Sequence, residues 1–198
     1  MNTLKTGGII AFPTDTVYGL GADIYNCKAI KRIYEVKKRP KDMPFPLLIS
    51  NISQLEKLTD EISEMAFLMA KYFWPGGLTL IMRKANTLPE YISSQSTVAV
   101  RIPKHPTPLA LIKYLGKPII GTSANISGGH SALTADEVQR QLGNKVDLIL
   151  DGGETPGGNE STIIDITGVE PVVLRQGIIP RGDIERVIND YRQRKGKS

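Results

Sequence analysis

The sequence predicts a single α/β domain built on a twisted, mixed sheet with flanking helices. Short apolar, β-branched runs recur along the chain, and helical periodicities separate several of them. Between Leu148 and Leu174, however, strand-like runs follow one another with no helix between them, which argues against a purely parallel, doubly wound sheet. The 198 residues are 40% hydrophobic and 23% charged, enough for one well-buried core and too few for two full domains. No repeat, low-complexity tract or linker interrupts them, so one domain is assigned to 1–198.

The first strand is Ile9–Phe12. Pro13 ends ladder donation, and Gly19 and Gly21 permit backbone turns, so the segment after the strand reads as a tight, hydroxyl-rich turn. A helix over Ala29–Lys37 follows from Ile30, Ile33 and Tyr34 on one face, and Leu47–Ile49 is the next strand. Ser53 with Glu56, and Thr134 with Glu137, have capping-box spacing and predict helix starts near Gln54 and Ala135. A helix over Ile62–Phe73 stops at Trp74-Pro75-Gly76-Gly77. Strands are predicted at Leu78–Met82, Val98–Ile102, Ile119–Gly121, Leu148–Leu150, Ile163–Ile166 and Val172–Leu174. Ile184, Val187, Ile188 and Tyr191 mark a last helix over Ile184–Tyr191. The basic tail 192–198, with Arg192, Arg194, Lys195 and Lys197, reads as a solvated, frayed end.

Composition excludes several classes of function. No apolar run approaches the roughly 18 to 20 residues of a membrane helix, and the N-terminus lacks a charged region followed by a long apolar one. A cytoplasmic location without membrane contact is expected. The single cysteine, Cys27, rules out an internal disulfide and reads as packing, while two histidines argue against a dedicated zinc site; His105 and His130 read as loop residues. A net charge of +5 favours an anionic partner, for which phosphate on a small ligand suffices.

Several segments carry polar chemistry in or at the ends of strands and helices. Pro13-Thr14-Asp15-Thr16-Val17-Tyr18-Gly19 places hydroxyls and a carboxylate where a buried strand stops. Lys37-Lys38-Arg39-Pro40 closes the first long helix, where cations complement the macrodipole, and Pro40, Pro44 and Pro46 stiffen a loop able to hold those cations toward a site. Gly121-Thr122-Ser123-Ala124-Asn125-Ile126-Ser127-Gly128-Gly129 offers neutral donors and close backbone approach to an anion. Arg101 lies within a β-branched run, so its guanidinium needs an anionic partner, either a protein carboxylate or a substrate. Arg175 stands at a strand end, and Ser161-Thr162 opens a strand after the glycine-rich stretch 152–158. Neither the Walker phosphate loop nor a dinucleotide fingerprint is present.

Taken in order, Pro13-Thr14-Asp15-Thr16-Val17-Tyr18-Gly19-Leu20, Lys37-x-Arg39-Pro40, Pro75-Gly76-Gly77-Leu78-Thr79, Val98-Ala99-Val100-Arg101-Ile102-Pro103, Ser123-Ala124-Asn125-x-Ser127-Gly128, Ser161-Thr162 and Leu174-Arg175-x-Gly177 resemble the YrdC-like family. The resemblance runs from about Gly7 to Ile188 and is closest to short, single-domain members. It implies a basic concave cleft and a nucleotidyltransferase reaction in which L-threonine, bicarbonate and ATP, accompanied by Mg²⁺, give threonylcarbamoyl-AMP and pyrophosphate for threonylcarbamoyladenosine modification of tRNA. Downstream tRNA-transfer machinery would consume the product. The family's Lys-x-Arg and Ser-x-Asn elements fall on Lys37, Arg39, Ser123 and Asn125, which together with Thr97, Ser131 and Arg175 would hold the nucleotide, Lys37 and Arg39 being catalytic. Threonine-binding positions fall on Thr16, Arg101 and Ser161, with no protein-only metal site. Where many members have Asn-Pro-Leu and then a His, this chain reads Met43-Pro44-Phe45-Pro46-Leu47-Leu48-Ile49-Ser50. The YciO-like branch implies an alternative, binding of tRNA or double-stranded RNA without synthase activity.

Overall fold

The computed structural model describes residues 2–195. In chain order the elements are α1 (Asn2–Lys5), β1 (Ile10–Phe12), β2 (Gly19–Gly21), α2 (Cys27–Lys37), β3 (Leu47–Leu48), α3 (Glu64–Phe73), β4 (Leu78–Arg83), β5 (Thr97–Arg101), α4 (Pro106–Leu115), β6 (Ile119–Ile120), β7 (Thr122–Ser123), α5 (Ala135–Leu142), β8 (Leu148–Ile149), β9 (Thr162–Asp165), β10 (Val172–Arg175) and α6 (Arg181–Lys195).

The predicted α/β class and mixed pairing hold, but the single sheet is divided into two. One has the order β7-β2-β1-β8, the other β10-β9-β4-β5-β3-β6, and each contains parallel and antiparallel neighbours. The hydroxyl-rich turn after β1 leads straight back as β2, with Phe12 opposite Gly19 and Ile10 opposite Gly21. The two glycines concealed this strand in the sequence, and the same residues explain why it fits. A Cβ at Gly21 would meet the Phe12 ring and the Ile120 carbonyl oxygen at 2.7–2.8 Å. The main core is shared by α2, α3, α6 and the inward side chains of both sheets, among them Ile33, Met69, Leu80, Val100, Ile164 and Ile184. A smaller apolar cluster joins Phe12 to Ile112 and Leu115 of α4.

Helix starts follow local hydrogen bonding. Asn26 caps α2 through the Ala29 amide (3.0 Å), Ser63 caps α3 through Ala66 (3.1 Å), and Thr134 caps α5 through Glu137 (3.2 Å). The expectation for Ser53 is corrected: residues Ile52–Lys57 form a 3-10 helix without a side-chain cap, and Ser53 Oγ donates instead to Asn51 Oδ1. Helix α4 went unseen behind its two prolines. His105 caps it through Nδ1, Pro106 takes the first position where no amide partner is lost, and Gly116 closes it in the left-handed region. The expected frayed tail is also corrected, because α6 continues through Lys195, with Arg192 paired to Glu170 and Lys195 to Glu64. Lys197 lies outside the described residues. No described helix is long and apolar enough to cross a membrane.

Two identical sequence spacings thus have different outcomes. Thr134→Ala is expected to lower the unfolding free energy by about 1 kcal/mol through loss of the cap. Ser53→Ala should change it by less than about 0.5 kcal/mol, as checked by urea denaturation of both variants.

Candidate functional site

A cleft of about 750 Å³ lies where the two sheets approach each other. Its walls are the β1–β2 turn, the C-terminal end of α2, β7 with the loop behind it, and the ends of β4, β5, β9 and β10. Lys37, Lys38, Arg39, Arg101 and Arg175 line it, and Glu160 is the one acidic side chain among its described lining residues. The cleft is therefore built for an anion.

At one end Arg101 is 7% exposed and spreads its donors over three segments. Nε donates to the Gly76 carbonyl (2.9 Å), Nη1 to Thr16 Oγ1 (3.2 Å) and Nη2 to Asp15 Oδ1 (2.6 Å). The anionic partner that the sequence demanded is thus the protein's own Asp15, which offsets the lowering of the guanidinium pKa by burial. A guanidinium carries five N–H groups, so two remain for a planar oxyanion. Thr14 Oγ1 donates to the Val17 carbonyl (2.7 Å) and lies 3.0 Å from Thr16 Oγ1, which fixes the Thr16 hydroxyl at this end. Thr79 Oγ1 and Ser161 Oγ, 2.9 Å apart, complete it.

The buried ammonium of Lys37 organises the other wall. Only 1% exposed, Lys37 directs Nζ to the Ser123 carbonyl (2.5 Å), the Asn125 carbonyl (2.7 Å) and Asn125 Oδ1 (3.2 Å). Its own carbonyl accepts from the Ser127 amide (2.9 Å), while Asn125 Nδ2 donates to the Gly129 carbonyl (2.6 Å). Desolvation, reinforced by the neighbouring Arg39 guanidinium and opposed by Glu160, pulls the Lys37 ammonium down from its ordinary 10.5 to about 8. Arg39 performs a similar task for the following loop: Nε donates to the Met43 carbonyl (2.9 Å), Nη2 to the Pro44 carbonyl (3.3 Å), and the guanidinium lies 5.2 Å from the Phe45 ring centre. The proline-bearing loop is held by the cation that it was expected to present.

Arg175 brackets Ser161 through two bonds to its carbonyl (3.1 and 2.9 Å) and one to its hydroxyl (3.2 Å), and it pairs with Glu160. The other Glu160 oxygen accepts from Ser131 Oγ (2.9 Å). Nine of the ten residues singled out as site candidates, namely Thr16, Lys37, Arg39, Arg101, Ser123, Asn125, Ser131, Ser161 and Arg175, line this one cleft. Thr97 does not. It begins β5, four residues before Arg101, and its carbonyl accepts from Ser93 Oγ (2.8 Å). Sequence reasoning missed Glu160 and Thr79 as site residues; the signal for Glu160 was its position immediately before Ser161-Thr162.

A family model described as Sua5_yciO_yrdC, "Telomere recombination", matches residues 2–177. The chain belongs to the Sua5/YciO/YrdC family. Among the family's curated members, the chain is 47% identical over 190 residues to a "Threonylcarbamoyl-AMP synthase" of Pyrococcus abyssi, covering 96% of this chain and 56% of that protein. It is 46% identical to the protein of the same name from Bacillus subtilis, covering 98% and 57%. The chain therefore spans little more than half the length of these relatives. Among family structures, P. abyssi Sua5 complexed with L-threonine superposes with a TM-score of 0.91 at 47% identity, over 94% of this chain and 55% of that one. Escherichia coli YciO superposes with a TM-score of 0.82 at 31% identity, over 90% and 87%.

The folded protein releases the Lys37 proton near pH 8, whereas the unfolded chain keeps it to about 10.5. Between those values the unfolded state binds more protons, so the Lys37 contribution to stability rises with pH. Relative to Lys37→Met, the wild-type protein is expected to gain on the order of 2 kcal/mol between about pH 7 and about pH 10, as measured by urea unfolding. A pH-independent difference would show that the three oxygen acceptors keep the ammonium charged.

Proposed function

We propose that the chain is a threonylcarbamoyl-AMP synthase, a nucleotidyltransferase acting on L-threonine, bicarbonate and ATP. The observation that carries this reading is the joining, in one cleft, of the Arg101 guanidinium, with two N–H groups left for a carboxylate beside the Thr16 hydroxyl, and the further cations Arg39 and Arg175. The names of the relatives and the threonine complex of P. abyssi Sua5 support it.

In this reading the threonine carboxylate takes the two unassigned Arg101 N–H groups, next to the Thr16 hydroxyl. The threonine amine condenses with bicarbonate to a carbamate and water. A carbamate oxygen then attacks the α-phosphorus of ATP and the bond to pyrophosphate breaks. Arg39 and Arg175 stabilise negative charge on the phosphate oxygens, and Ser123 and Ser131 orient the nucleotide. Lys37, expected from the resemblance to be catalytic, acts instead as a positioning residue, since its three protons go to the Ser123 and Asn125 carbonyls and to Asn125 Oδ1. No protein nucleophile is needed.

Glu160 engages Arg175 and Ser131, two of the donors assigned to the nucleotide, so phosphate would compete with it for them. The released carboxylate also fits the Mg²⁺ expected with ATP. That ion commonly binds phosphates with one or two carboxylates and keeps several waters. Glu160 and the phosphate oxygens would hold it, and when bound it neutralises phosphate charge. The mixed anhydride product is an activated acyl group, suited to transfer onto a tRNA by downstream machinery.

The test is pyrophosphate release from ATP, Mg²⁺ and bicarbonate, with and without L-threonine, together with the mass of the product. Threonine-dependent release with the threonylcarbamoyl-AMP mass is expected. No release, accompanied by steeply salt-dependent binding of tRNA or duplex RNA, would replace the synthase by the RNA-binding reading. In the same assay Arg101→Lys is expected to raise the threonine KM at least about tenfold while leaving the ATP KM little changed, because a lysine cannot supply the planar fork. An equal rise in both would show that Arg101 acts only by holding the β1–β2 turn.

A further inference from the structure

The glycine-rich stretch 152–158 supplies none of the residues that line the cleft, yet it lies against the β1–β2 turn, which does line it. It belongs to a strap, residues 150–161, that crosses from β8 of the smaller sheet to β9 of the larger one without a helix or strand of its own. The strap is pinned at three places. Tyr18 Oη donates to the Gly153 carbonyl (2.8 Å) and accepts from the Gly152 amide (3.2 Å). Further along, the Thr155 amide donates to the Leu133 carbonyl (2.9 Å), and the Glu160 carbonyl accepts from the Ile178 amide (2.9 Å). Between these last two pins, at Gly157, strap and turn meet backbone to backbone. A Cβ there would lie 2.0 Å from the Thr16 carbonyl oxygen and 2.7 Å from Thr16 Cα, so only glycine fits while both segments keep their places. At the next residue, Gly158, φ is +57° and a Cβ would meet nothing within 4 Å.

We propose that Gly157 is a positioning residue for the end of the cleft that takes the amino acid: through the Thr16 backbone it sets where the Thr16 hydroxyl and the Asp15 carboxylate meet Arg101. This rests on the synthase reading of the cleft. The turn passes on a push because it is internally bonded. Thr14 Oγ1 accepts from the Thr16 amide (3.1 Å) and donates to the Val17 carbonyl (2.7 Å), so Thr14 to Val17 move as a unit. Arg101 places two of its three bonds on that unit, at Thr16 Oγ1 and Asp15 Oδ1, and the third on the Gly76 carbonyl outside it. A shift of the turn therefore rotates the guanidinium about the Gly76 bond and swings its two unassigned N–H groups off a planar carboxylate. Arg39 and Arg175 place their hydrogen bonds on other segments, so the cations assigned to the nucleotide stay where they are.

The two neighbouring glycines separate positioning from general support of the strap. The experiment measures pyrophosphate release by the wild-type protein, Gly157→Ala and Gly158→Ala, with L-threonine and ATP varied in turn, together with the melting temperature of each protein without ligand. Gly157→Ala is expected to raise the threonine KM at least about tenfold and to leave the ATP KM within about twofold, because a small displacement of a binding group is costly. Gly158→Ala forces a side chain into the left-handed region and should lower the melting temperature, while both KM values stay within about twofold. An unchanged threonine KM in Gly157→Ala would overturn the proposal and leave the synthase reading standing. An equal rise of the threonine KM in both variants would assign the effect to a loosened strap and overturn it as well. Should Gly157→Ala fail to fold, Tyr18→Phe takes its place, since it keeps the ring and removes both bonds that pin the start of the strap. That variant is expected to raise the threonine KM about threefold or more with the ATP KM little changed, and an unchanged ratio of the two KM values would overturn the proposal. Absence of threonine-dependent release by the wild-type protein would remove the synthase reading and the proposal together.

Discussion

The cleft depends on one buried ammonium. Lys37 ends α2 inside the protein, and three oxygens from Ser123 and Asn125 receive its protons. A charge at this depth is tolerated only with such partners, so the loop that supplies them is bound to the helix that carries the charge. Through this contact β7 and the loop behind it acquire a fixed position relative to α2, and the Ser127 amide on the Lys37 carbonyl ties the same loop a second time. The opposite end follows the same rule. Arg101 on β5 gathers Gly76, Thr16 and Asp15, joining a strand of the larger sheet to the turn that leaves the smaller one. One buried cation thus fixes helix α2 to the smaller sheet and the other joins the two sheets, and together they set the walls of the space between them.

Half-buried cations finish the site under looser control. Arg39 and Arg175 each hold backbone carbonyls of their neighbourhood, and Arg175 also holds the carboxylate of Glu160. Charge in the cleft is thereby partly neutralised by the protein itself. An arriving polyanion exchanges one set of ionic hydrogen bonds for another, which favours ligands with more than one negative group over a single carboxylate.

Much of this was legible in the chain. The β-branched runs and helical stripes located most elements, and the hydroxyl, glycine and cation clusters at strand and helix ends marked the segments that meet in the cleft. What escaped had physical reasons. β2 is built of Gly-Leu-Gly and has no strand propensity of its own; it exists because Phe12 and the β6–β7 region leave room for nothing larger. Helix α4 hides behind prolines that end helices elsewhere and start one here. Ser53 and Thr134 share a motif, yet only Thr134 meets a regular helix. The division into two sheets is a property of tertiary packing to which no local pattern corresponds. Among site residues, spacing could place Arg101 in a buried strand without saying which carboxylate would meet it. Glu160 carries no local sequence signal, and its importance comes from being the one acidic side chain among the described residues lining the cleft.

The most direct test is a crystal structure with L-threonine and a non-hydrolysable ATP analogue bound together. The account predicts the threonine carboxylate on Arg101, phosphates on Arg39 and Arg175 in place of Glu160, and the Lys37 ammonium still on the Ser123 and Asn125 oxygens. A Lys37 side chain withdrawn from that loop to meet phosphate, or a nucleotide bound outside the cleft, would contradict it.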